Sequence, residues 1–169
     1  VDAARGLVGA HLISAVGGCR VEVKVTETEA YGGSDDPASH AYQGATPRNR
    51  SMFAIPGTAY VYRAYGVHWC LNVATGAIGE PAAVLLRGAE PITGLDEIRR
   101  RRGRSDHLLD GPGKLAQGLG VTGEHDGVDL LAGGVLALHA ASEEARHIVA
   151  TSRVGVSTAR ARRWRFLSG

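Results

Sequence analysis

Hydrophobic and polar residues alternate most regularly along the segment from Val21 to Tyr31. One side of the segment carries three valines, then two carboxylates and a phenol: Val21, Val23, Val25, Glu27, Glu29 and Tyr31. The other side is polar throughout, as expected for a solvated face: Arg20, Glu22, Lys24, Thr26 and Thr28. This period of two predicts a β-strand that keeps one register, with an inner face that begins in the core and ends in acids.

The two acids at the end of this strand have two interpretations. Burying a carboxylate is costly unless it is paired or hydrogen-bonded, so stability alone seldom explains such a pattern. Either the acids belong to a functional site, or the strand leaves the core at Glu27 and both side chains are hydrated. The second interpretation is the default for an isolated strand, and only motifs elsewhere in the chain weigh against it.

Apolar spacing and turn residues predict the remaining elements. A first helix is expected from Asp2 to about residue 16, followed by a turn at Gly17-Gly18. Strands over 59–64 and 68–73 flank Tyr65-Gly66, which predicts a β-hairpin. The later predicted elements are a strand over 82–86, a basic helix capped by Thr93 with Asp96 at the capping-box position, a helix from Gly111-Pro112 to 118–120, and strands over 135–139 and 148–156.

The segment 32–56 is rich in glycine, proline and polar residues and is predicted to be a loop. A loop of this length within a compact domain is usually functional or disordered. It carries four polar side chains that could serve a site: His40, Arg48, Asn49 and Arg50.

Length and composition are those of one globular domain spanning residues 1–169, with 44% hydrophobic residues. No run of 18 or more apolar residues is present, so we expect no membrane span. The first residues lack the basic-then-apolar order of a signal peptide, so we expect a cytoplasmic protein. Cys19 and Cys70 are too few for a disulfide scaffold or a cysteine zinc site, and both are expected to be small core residues.

Nearly all positive charge is arginine, because Lys24 and Lys114 are the only lysines. Five arginines fall in 99–104 and four in 160–165, although the net charge is only +2. The planar guanidinium suits phosphate, so these clusters could contact nucleic acid. They could equally be solvated faces of a protein encoded by GC-rich DNA, and the clusters alone favour neither interpretation.

Eight short motifs follow one another along the chain. They are Thr28-Glu29-Ala30-Tyr31, Ala38-Ser39-His40, Thr46-Pro47-Arg48-Asn49-Arg50, Pro56-Gly57, Tyr60-Val61-Tyr62, Tyr65-Gly66, Cys70-Leu71-Asn72 and Leu85-Leu86-Arg87. In this order and spacing the chain resembles the alkyladenine (3-methyladenine) DNA glycosylase family, as a bacterial member. The resemblance runs from about Gly6 to the end and is continued by Gly111-Pro112-Gly113-Lys114-Leu115 and Arg153-Val154-Gly155-Val156.

The resemblance implies a mixed α/β (α+β) fold: a single domain with a curved antiparallel sheet, a protruding β-hairpin and surrounding helices. It also implies a monomeric enzyme of base excision repair that uses no metal or organic cofactor. Such an enzyme flips an alkylated or deaminated purine out of double-stranded DNA and hydrolyses the bond between base and deoxyribose. Its partner is therefore duplex DNA containing a damaged purine, and no membrane is involved.

The resemblance and the chemistry together give roles to individual side chains. Tyr65, at the hairpin tip, is expected to intercalate as a wedge that offsets the cost of extruding a base. Tyr31, Tyr62 and His40 are the expected walls of the base pocket, where stacking stabilises each base by about 1–3 kcal/mol. The family places its asparagine, here Asn72, where the 2-amino group of guanine would lie. Tyr60 is expected to be a core residue.

Glu29 is the expected general base, since a carboxylate can orient water and stabilise an oxocarbenium-like transition state. Arg87 resembles the family's arginine that helps to hold the water and the carboxylate; a structural ion pair is the alternative, and the two roles are compatible. Glu27 is expected to be structural and paired with an arginine. Possible DNA contacts are Arg48, Arg50 and His68. The helix start at Gly111-Pro112 could hold a DNA phosphate, although the start of a helix is the simpler explanation for these residues.

Two other functions fit parts of this pattern. A non-catalytic nucleic-acid platform would also present aromatic residues and arginines, but it has no use for a buried acid such as Glu29. A hydrolase of free nucleosides would need the acid but no wedge at Tyr65. The sequence therefore favours a monofunctional DNA glycosylase, and it does not rank the lesions.

Overall fold

The computed structural model describes residues 1–141 and 147–169, which contain eight strands and three α-helices. The helices are α1 (Asp2–Gly6), α2 (Leu95–Arg102) and α3 (Pro112–Leu119). The strands are β1 (His11–Ser14), β2 (Val21–Tyr31), β3 (Ala59–Ala64), β4 (His68–Ala74), β5 (Ala83–Thr93), β6 (Leu136–His139), β7 (Ile148–Thr151) and β8 (Arg165–Ser168). Short 3₁₀ turns cover Val16–Gly18, Arg50–Phe53 and Gly123–His125.

The sheet is antiparallel and is organised around β2, as the alternation predicted. Its strands run in the order β3-β4-β5-β2-β1-β6, while β8 pairs with both β2 and β7. One edge of β2 pairs along its length with β5, and the other pairs first with β1 and then with β8. These observations confirm the expected α+β class with a curved antiparallel sheet. No helix within 1–141 or 147–169 has the length and apolar character that a membrane span requires.

The main core lies between one face of the sheet and the helices α2 and α3. The valines of β2 meet buried apolar side chains from both helices, including Ile98, Leu115 and Leu119. Burial at each of these positions is complete or nearly so, which makes this apolar contact the dominant stabilising term for the sheet. The start of β2 is thus fixed in the core, and its far end is held rigidly beyond it.

The expectation that β2 keeps one register is wrong. Pairing between β2 and β5 shifts on both sides of Glu27, where Glu27 lies opposite Gly88 and Thr28 opposite Leu86. The shift leaves Arg87 as an extra residue on β5. Thr28, expected on the solvated face, is fully buried, and its hydroxyl donates to the Ala4 carbonyl at 2.6 Å. Such bulges re-aim side chains, often beside active sites.

The prediction of a first helix is also wrong after its first turn, since α1 covers only Asp2–Gly6. The chain leaves α1 at Gly6 and joins the sheet, because the Gly9 amide donates to the Val25 carbonyl. Residues 11–14 then form β1, which pairs with β2 on one side and β6 on the other. Two neighbouring strands satisfy its backbone and bury Leu12, so tertiary pairing overrides the helical spacing of the leucines and valines.

Several later boundaries differ from expectation. Strand β5 continues to Thr93, and α2 follows Gly94 in a left-handed conformation (φ 78°), without a side-chain cap from Thr93. Strand β7 is shorter than predicted, and β8 was not predicted. Helix α3 ends as expected at a left-handed Gly120. Cys70 is buried as expected, whereas Cys19 is exposed.

Candidate active site

A cavity of about 500 Å³ opens where five parts of the chain meet, beside the start of α3 at Pro112. These parts are the end of β2, the β3–β4 hairpin, the first half of β5, the loop 32–56 and the segment 152–164. The four aromatic side chains predicted for the site all line the cavity: Tyr31, His40, Tyr62 and Tyr65. Five further residues also line it: Tyr60, Asn72, Cys70, Arg48 and Arg87. The structure therefore brings the main predicted site residues together from separate elements.

Glu29 is fully buried behind the wall of this cavity and is not itself among the lining residues. Its Oε1 accepts hydrogen bonds from the Tyr31 hydroxyl at 2.6 Å and from Arg87 Nη1 at 3.3 Å. Its Oε2 accepts one from the Val154 backbone amide at 2.9 Å. All three donor residues line the cavity. A carboxylate can accept about four hydrogen bonds, so one acceptor position remains for a further donor such as water.

Glu27 is held differently, although it shares Arg87 with Glu29. Its Oε1 accepts from Arg87 Nε at 2.7 Å and from Arg165 Nε at 2.6 Å. Burial opposes ionisation of Glu27, but the hydrogen bonds from Arg165 and Arg87 outweigh it and keep the pKa of Glu27 below its usual range. Glu27 is thus a carboxylate paired with two arginines, and only one of them, Arg87, lines the cavity.

Three aromatic rings form one wall of the cavity. His40 meets Tyr62 edge-to-face with ring centroids 4.5 Å apart, and Tyr60 lies 5.5 Å from Tyr62. The Tyr60 hydroxyl is 2.7 Å from His40 Nδ1, so this nearly buried tyrosine supports His40 as well as the core. Burial raises the pKa of both Tyr31 and Tyr62, which keeps the phenols protonated. Tyr31 can therefore act as a hydrogen-bond donor toward Glu29.

The His40 ring is neutral at physiological pH. Desolvation against the tyrosines, with a smaller contribution from the positive charge of Arg48, lowers the pKa of His40. The guanidinium of Arg48 lies 5.8 Å from the Tyr62 ring centroid and donates to the Arg63 carbonyl at 3.2 Å. Asn49, nearly buried, donates to the backbone carbonyls of His40 and Gly44 and so fixes the loop that carries His40.

The hairpin tip is exposed and adopts an unusual backbone conformation. Tyr65 has φ 51° and Gly66 has φ 69°, as in a type I′ turn, and the Val67 amide closes the turn on the Ala64 carbonyl at 3.0 Å. The Tyr65 side chain is 90% exposed. His68, also exposed, packs its Cβ against Gly113 in α3. The predicted hairpin is confirmed and presents its aromatic residue to solvent.

Asn72 lies in the pocket wall on β4, opposite Tyr60. It is 2% exposed, and its Nδ2 donates to the Tyr60 carbonyl at 3.0 Å. Arg50, in contrast, is exposed at the start of the 3₁₀ turn and does not line the cavity. The structure thus places Asn72 in the pocket and Arg50 outside it.

Sequence reasoning gave no role to three residues that the structure places around Glu29. Val154 supplies one of its donors, and Arg153 forms a fully buried ion pair with Asp36, at 2.7 Å between Nη1 and Oδ2. The motif Arg153-Val154-Gly155-Val156 contributes to the family resemblance, but the sequence assigns no role to its residues. Asp36 is predicted only as part of a turn, and no local spacing links it to a residue 117 positions away.

The arginine cluster of 99–104 is largely engaged within the protein. Arg100 and Arg101 donate to Glu97 at 2.6–2.7 Å, and their hydrogen bonds lower the pKa of Glu97 to about 2. Arg101 also donates to the backbone carbonyls of Val16 and Gly118. These contacts favour a structural role for this cluster. Within the described segments, no group of three or more His, Cys, Asp or Glu side chains is arranged to hold a metal ion.

Comparison with known proteins then gives the class of the protein. The model of the methylpurine-DNA glycosylase (MPG) family matches residues 1–169. The chain belongs to this family, whose enzymes are hydrolases acting on N-glycosyl bonds in DNA. The resemblance found in the sequence is therefore confirmed.

Bacterial relatives support this assignment over most of the chain. A protein of Rhodopseudomonas palustris (strain BisB18) is 49% identical over 168 residues, which cover 98% of this chain and 80% of the relative. One of Carboxydothermus hydrogenoformans is 43% identical over 166 residues, covering 96% and 86%. One of Nitrosospira multiformis is 49% identical over 133 residues, covering 77% of this chain and 66% of the relative. All three carry the name "Putative 3-methyladenine DNA glycosylase".

Proposed function

We propose that this protein is a monomeric, monofunctional DNA glycosylase that removes alkylated or deaminated purines from duplex DNA. The observation that carries the proposal is Glu29, a fully buried carboxylate held by three donors that all line an aromatic pocket. A passive nucleic-acid platform has no need of such a group. The names of the bacterial relatives support 3-methyladenine as one substrate base.

Access to the pocket requires the target nucleotide to leave the duplex, at a cost of about a few kcal/mol. We propose that Tyr65 offsets part of this cost by filling the vacated space from the minor groove. Its exposed ring at the end of a two-stranded arm has the reach for this role. Arg48, Arg50 and His68, exposed around the hairpin and the loop 32–56, would contact the DNA backbone beside it.

The extruded base would stack between the walls given by Tyr31, Tyr62 and His40, with Asn72 along its edge. Stacking needs flat rings fixed in place, and two features supply this support. The Tyr60 hydroxyl holds His40, and Asn49 fixes the loop backbone behind it. A neutral His40 adds no positive charge to a pocket that receives cationic alkylated bases.

In the chemical step, a water molecule held by Glu29 and Arg87 would attack the anomeric carbon as the C–N bond breaks. The electrons of that bond leave with the purine, and Glu29 takes the proton of the water. The carboxylate also stabilises the positive charge of the oxocarbenium-like transition state. Glu27 is unsuited to be the general acid, because two arginines hold it in the ionised form. An alkylated purine already carries positive charge and leaves without an acid.

Strand cleavage is not expected, because a lyase needs an amine that forms a Schiff base with the sugar. Lys24 and Lys114 are the only lysines in the sequence. Lys24 is exposed on the outer face of β2, and Lys114 is paired with Asp110 at 2.9 Å. Borohydride should therefore trap no covalent adduct between protein and DNA, and a trapped adduct would contradict the monofunctional assignment.

A direct test uses duplexes that each contain one lesion: an alkylated purine, hypoxanthine or an etheno-adduct. After incubation with the protein, alkali cleaves the strand only where a base has been removed, and a gel shows the product. For at least one lesion, we expect strand cleavage that depends on the protein and that appears only after the alkali treatment. Tight binding without cleavage would support a platform, and release of bases from free nucleosides but not duplexes would support a nucleoside hydrolase.

A further inference from the structure

A single buried ion pair joins three of the segments that enclose the pocket. Asp36, in the loop 32–56, and Arg153, in the segment 152–164, are both fully buried. The guanidinium makes two parallel contacts with the carboxylate, at 2.7 and 2.8 Å. Nη1 also donates to the carbonyl of Ala30 in β2 at 3.3 Å and Nη2 to that of Ala159 at 3.1 Å, while Nε has no partner among the described residues. One side chain therefore fixes the two loops to each other and to β2.

The same arginine lies next to two of the three donors on Glu29. Val154, whose amide donates to Glu29, is the next residue after Arg153. The guanidinium of Arg153 also lies 5.2 Å from the centroid of the Tyr31 ring, and the hydroxyl of Tyr31 is the second donor to Glu29. The ring of Trp164 also lies 5.2 Å from the guanidinium. Arg153 therefore adjoins one of these donors in the chain and contacts the ring that carries the other.

Stability does not account for this arrangement. A buried ion pair contributes little to folding, because desolvation of both charges offsets their attraction, and a well-packed apolar pair is often as stable or more stable. What the pair provides is direction, since a two-pronged contact between a guanidinium and a carboxylate fixes orientation as well as distance. Asp36 is itself held by the backbone amides of Gly32 and Ala38, so the acceptor is fixed before Arg153 meets it.

We propose that Asp36 and Arg153 are positioning residues that set the orientation of the Glu29 carboxylate through the Val154 amide and the Tyr31 hydroxyl. Neither residue lines the cavity, so neither touches the base. The proposal rests on the proposed function, because its effect on the reaction passes through Glu29. It extends the site to a second layer that spans more than a hundred residues of sequence.

The test replaces both partners together, as Asp36→Leu/Arg153→Met, so that no unpaired charge is buried. The melting temperature should fall, because the Gly32 and Ala38 amides lose their acceptor, so the rate is measured at a temperature where the variant is folded. Binding to a lesion duplex should fall less than the rate, because Tyr60 and Asn49 hold His40 and its loop independently and only the Tyr31 wall depends on Arg153. The single-turnover rate of base release should fall by about 10²-fold, as expected when a catalytic group is misplaced by about an ångström. A parental rate in this folded variant would overturn the proposal.

A second variant keeps the proposal testable if the apolar pair does not fold. Arg153→Lys retains the positive charge beside Asp36, but an ammonium cannot make the two-pronged contact and the backbone contacts together. Its rate should fall while its binding to the lesion duplex is retained. Equal rates for this variant and the parent would again contradict a positioning role.

Thr28→Val is the matched structural control. Thr28 neighbours Glu29 on β2 and is as buried, but its hydroxyl contacts Ala4 on the opposite side of the sheet. This variant should melt at a lower temperature and keep the parental rate. A rate loss as large as that of the Arg153 variants would show that any weakening of β2 slows the reaction, and would overturn the proposal.

A double-mutant cycle separates this inference from the proposed function. When Glu29→Gln has already removed the carboxylate, the further change of Asp36 and Arg153 should lower the rate little more. An undiminished further loss would show that the pair acts elsewhere. If Glu29→Gln alone keeps the parental rate, the proposed function fails; if only the Asp36 and Arg153 variants keep it, the inference fails and the function stands.

Discussion

The pocket floor around Glu29 and the hairpin tip around Tyr65 lie in the same molecule but are built in opposite ways. At the floor, three donors already reach a carboxylate with no exposed surface before any substrate arrives, and one acceptor position is left for water. At the tip, an aromatic side chain is 90% exposed on a backbone with positive φ. The donors at the floor are therefore in place without a ligand, whereas the tip has apolar surface that a partner would have to bury.

This difference separates two energetic tasks. Fixed donors and a fixed charge stabilise a transition state without reorganising when the reaction occurs. The tip stores a cost instead, since a left-handed conformation outside glycine is unfavourable by about 1–2 kcal/mol. Among residues 1–141 and 147–169, none compensates by burying Tyr65, which is 90% exposed. We therefore expect changes at the floor to alter the rate of base release, and changes at the tip to alter the use of duplex DNA.

The largest expected effect is that of Glu29→Gln at the floor. The amide has nearly the same volume and its oxygen still accepts hydrogen bonds, but its NH₂ group meets a donor at one end, so the variant should fold with reduced stability and keep lesion binding. It cannot take a proton from water, and it offers no negative charge to the oxocarbenium-like state. The single-turnover rate, measured with enzyme in excess, should fall by at least about 10⁴-fold, the upper end of general-base effects.

Glu27→Gln is the matched control, because it makes the same change about 7 Å away along the strand. It weakens contacts with Arg87 and Arg165, yet leaves Glu29 and its other two donors in place. The loss of rate should be much smaller. If Glu27→Gln were the inactive variant, or Glu29→Gln kept the parental rate, the catalytic assignment would be wrong.

The next largest effect should come from Tyr65→Ala at the tip. Without the wedge, extrusion is no longer offset, so preference for a lesion duplex over an undamaged one should fall strongly, by about 10²-fold if a few kcal/mol are lost. Base release from an unpaired lesion should change far less, since the pocket is intact. Val67→Ala, at another exposed apolar residue of the same turn, is the control and should lose little. Parental excision from duplexes by Tyr65→Ala would remove the wedge role.

The same two regions show what sequence can predict. The tip was predictable because its signals are local: alternating residues on both sides of Tyr65-Gly66 predict the hairpin, and an aromatic residue at its end is conspicuous. The floor was only partly predictable. Glu29 and Arg87 were found, but the bulge that places Arg87 between two carboxylates depends on pairing between β2 and β5.

The remaining parts of the floor depend on contacts between distant parts of the chain. Asp36 reads as a turn residue until folding brings Arg153 to it, and the amide of Val154 leaves no mark in the sequence because any residue but proline supplies one. For the same reason the sequence predicts a helix over residues 11–14. The spacing of apolar residues is a local signal, whereas the pairing with β2 and β6 joins distant parts of the chain. Family resemblance supplied roles, while the geometry supplied the second layer of contacts.

Asn72, in the pocket wall above the floor, should affect selection of the base more than rate. Its side chain is nearly buried and held by the Tyr60 carbonyl, so it presents a fixed polar edge to a bound base. Shortening it to Ser or Ala should make room for a guanine 2-amino group and raise the ratio of guanine-lesion to adenine-lesion excision by about 10-fold. An unchanged ratio would remove this role.

The smallest expected effect concerns charged residues on the outer surface. They lie apart from both the pocket floor and the hairpin tip, so they test DNA binding separately from catalysis and from the wedge. Arg50 is exposed on the loop 32–56, so it is available to a phosphate; Arg100, also exposed, makes two hydrogen bonds to Glu97 at 2.7 Å. Each phosphate contact that is lost should lower the slope of log K against log salt by about 0.9. Arg50→Ala should therefore give a shallower slope than the parent, and Arg100→Ala an equal one. Duplex binding measured across a salt series distinguishes the two. A shallower slope for Arg100→Ala would place DNA on the α2 surface, and an unchanged slope for Arg50→Ala would exclude this arginine from the interface.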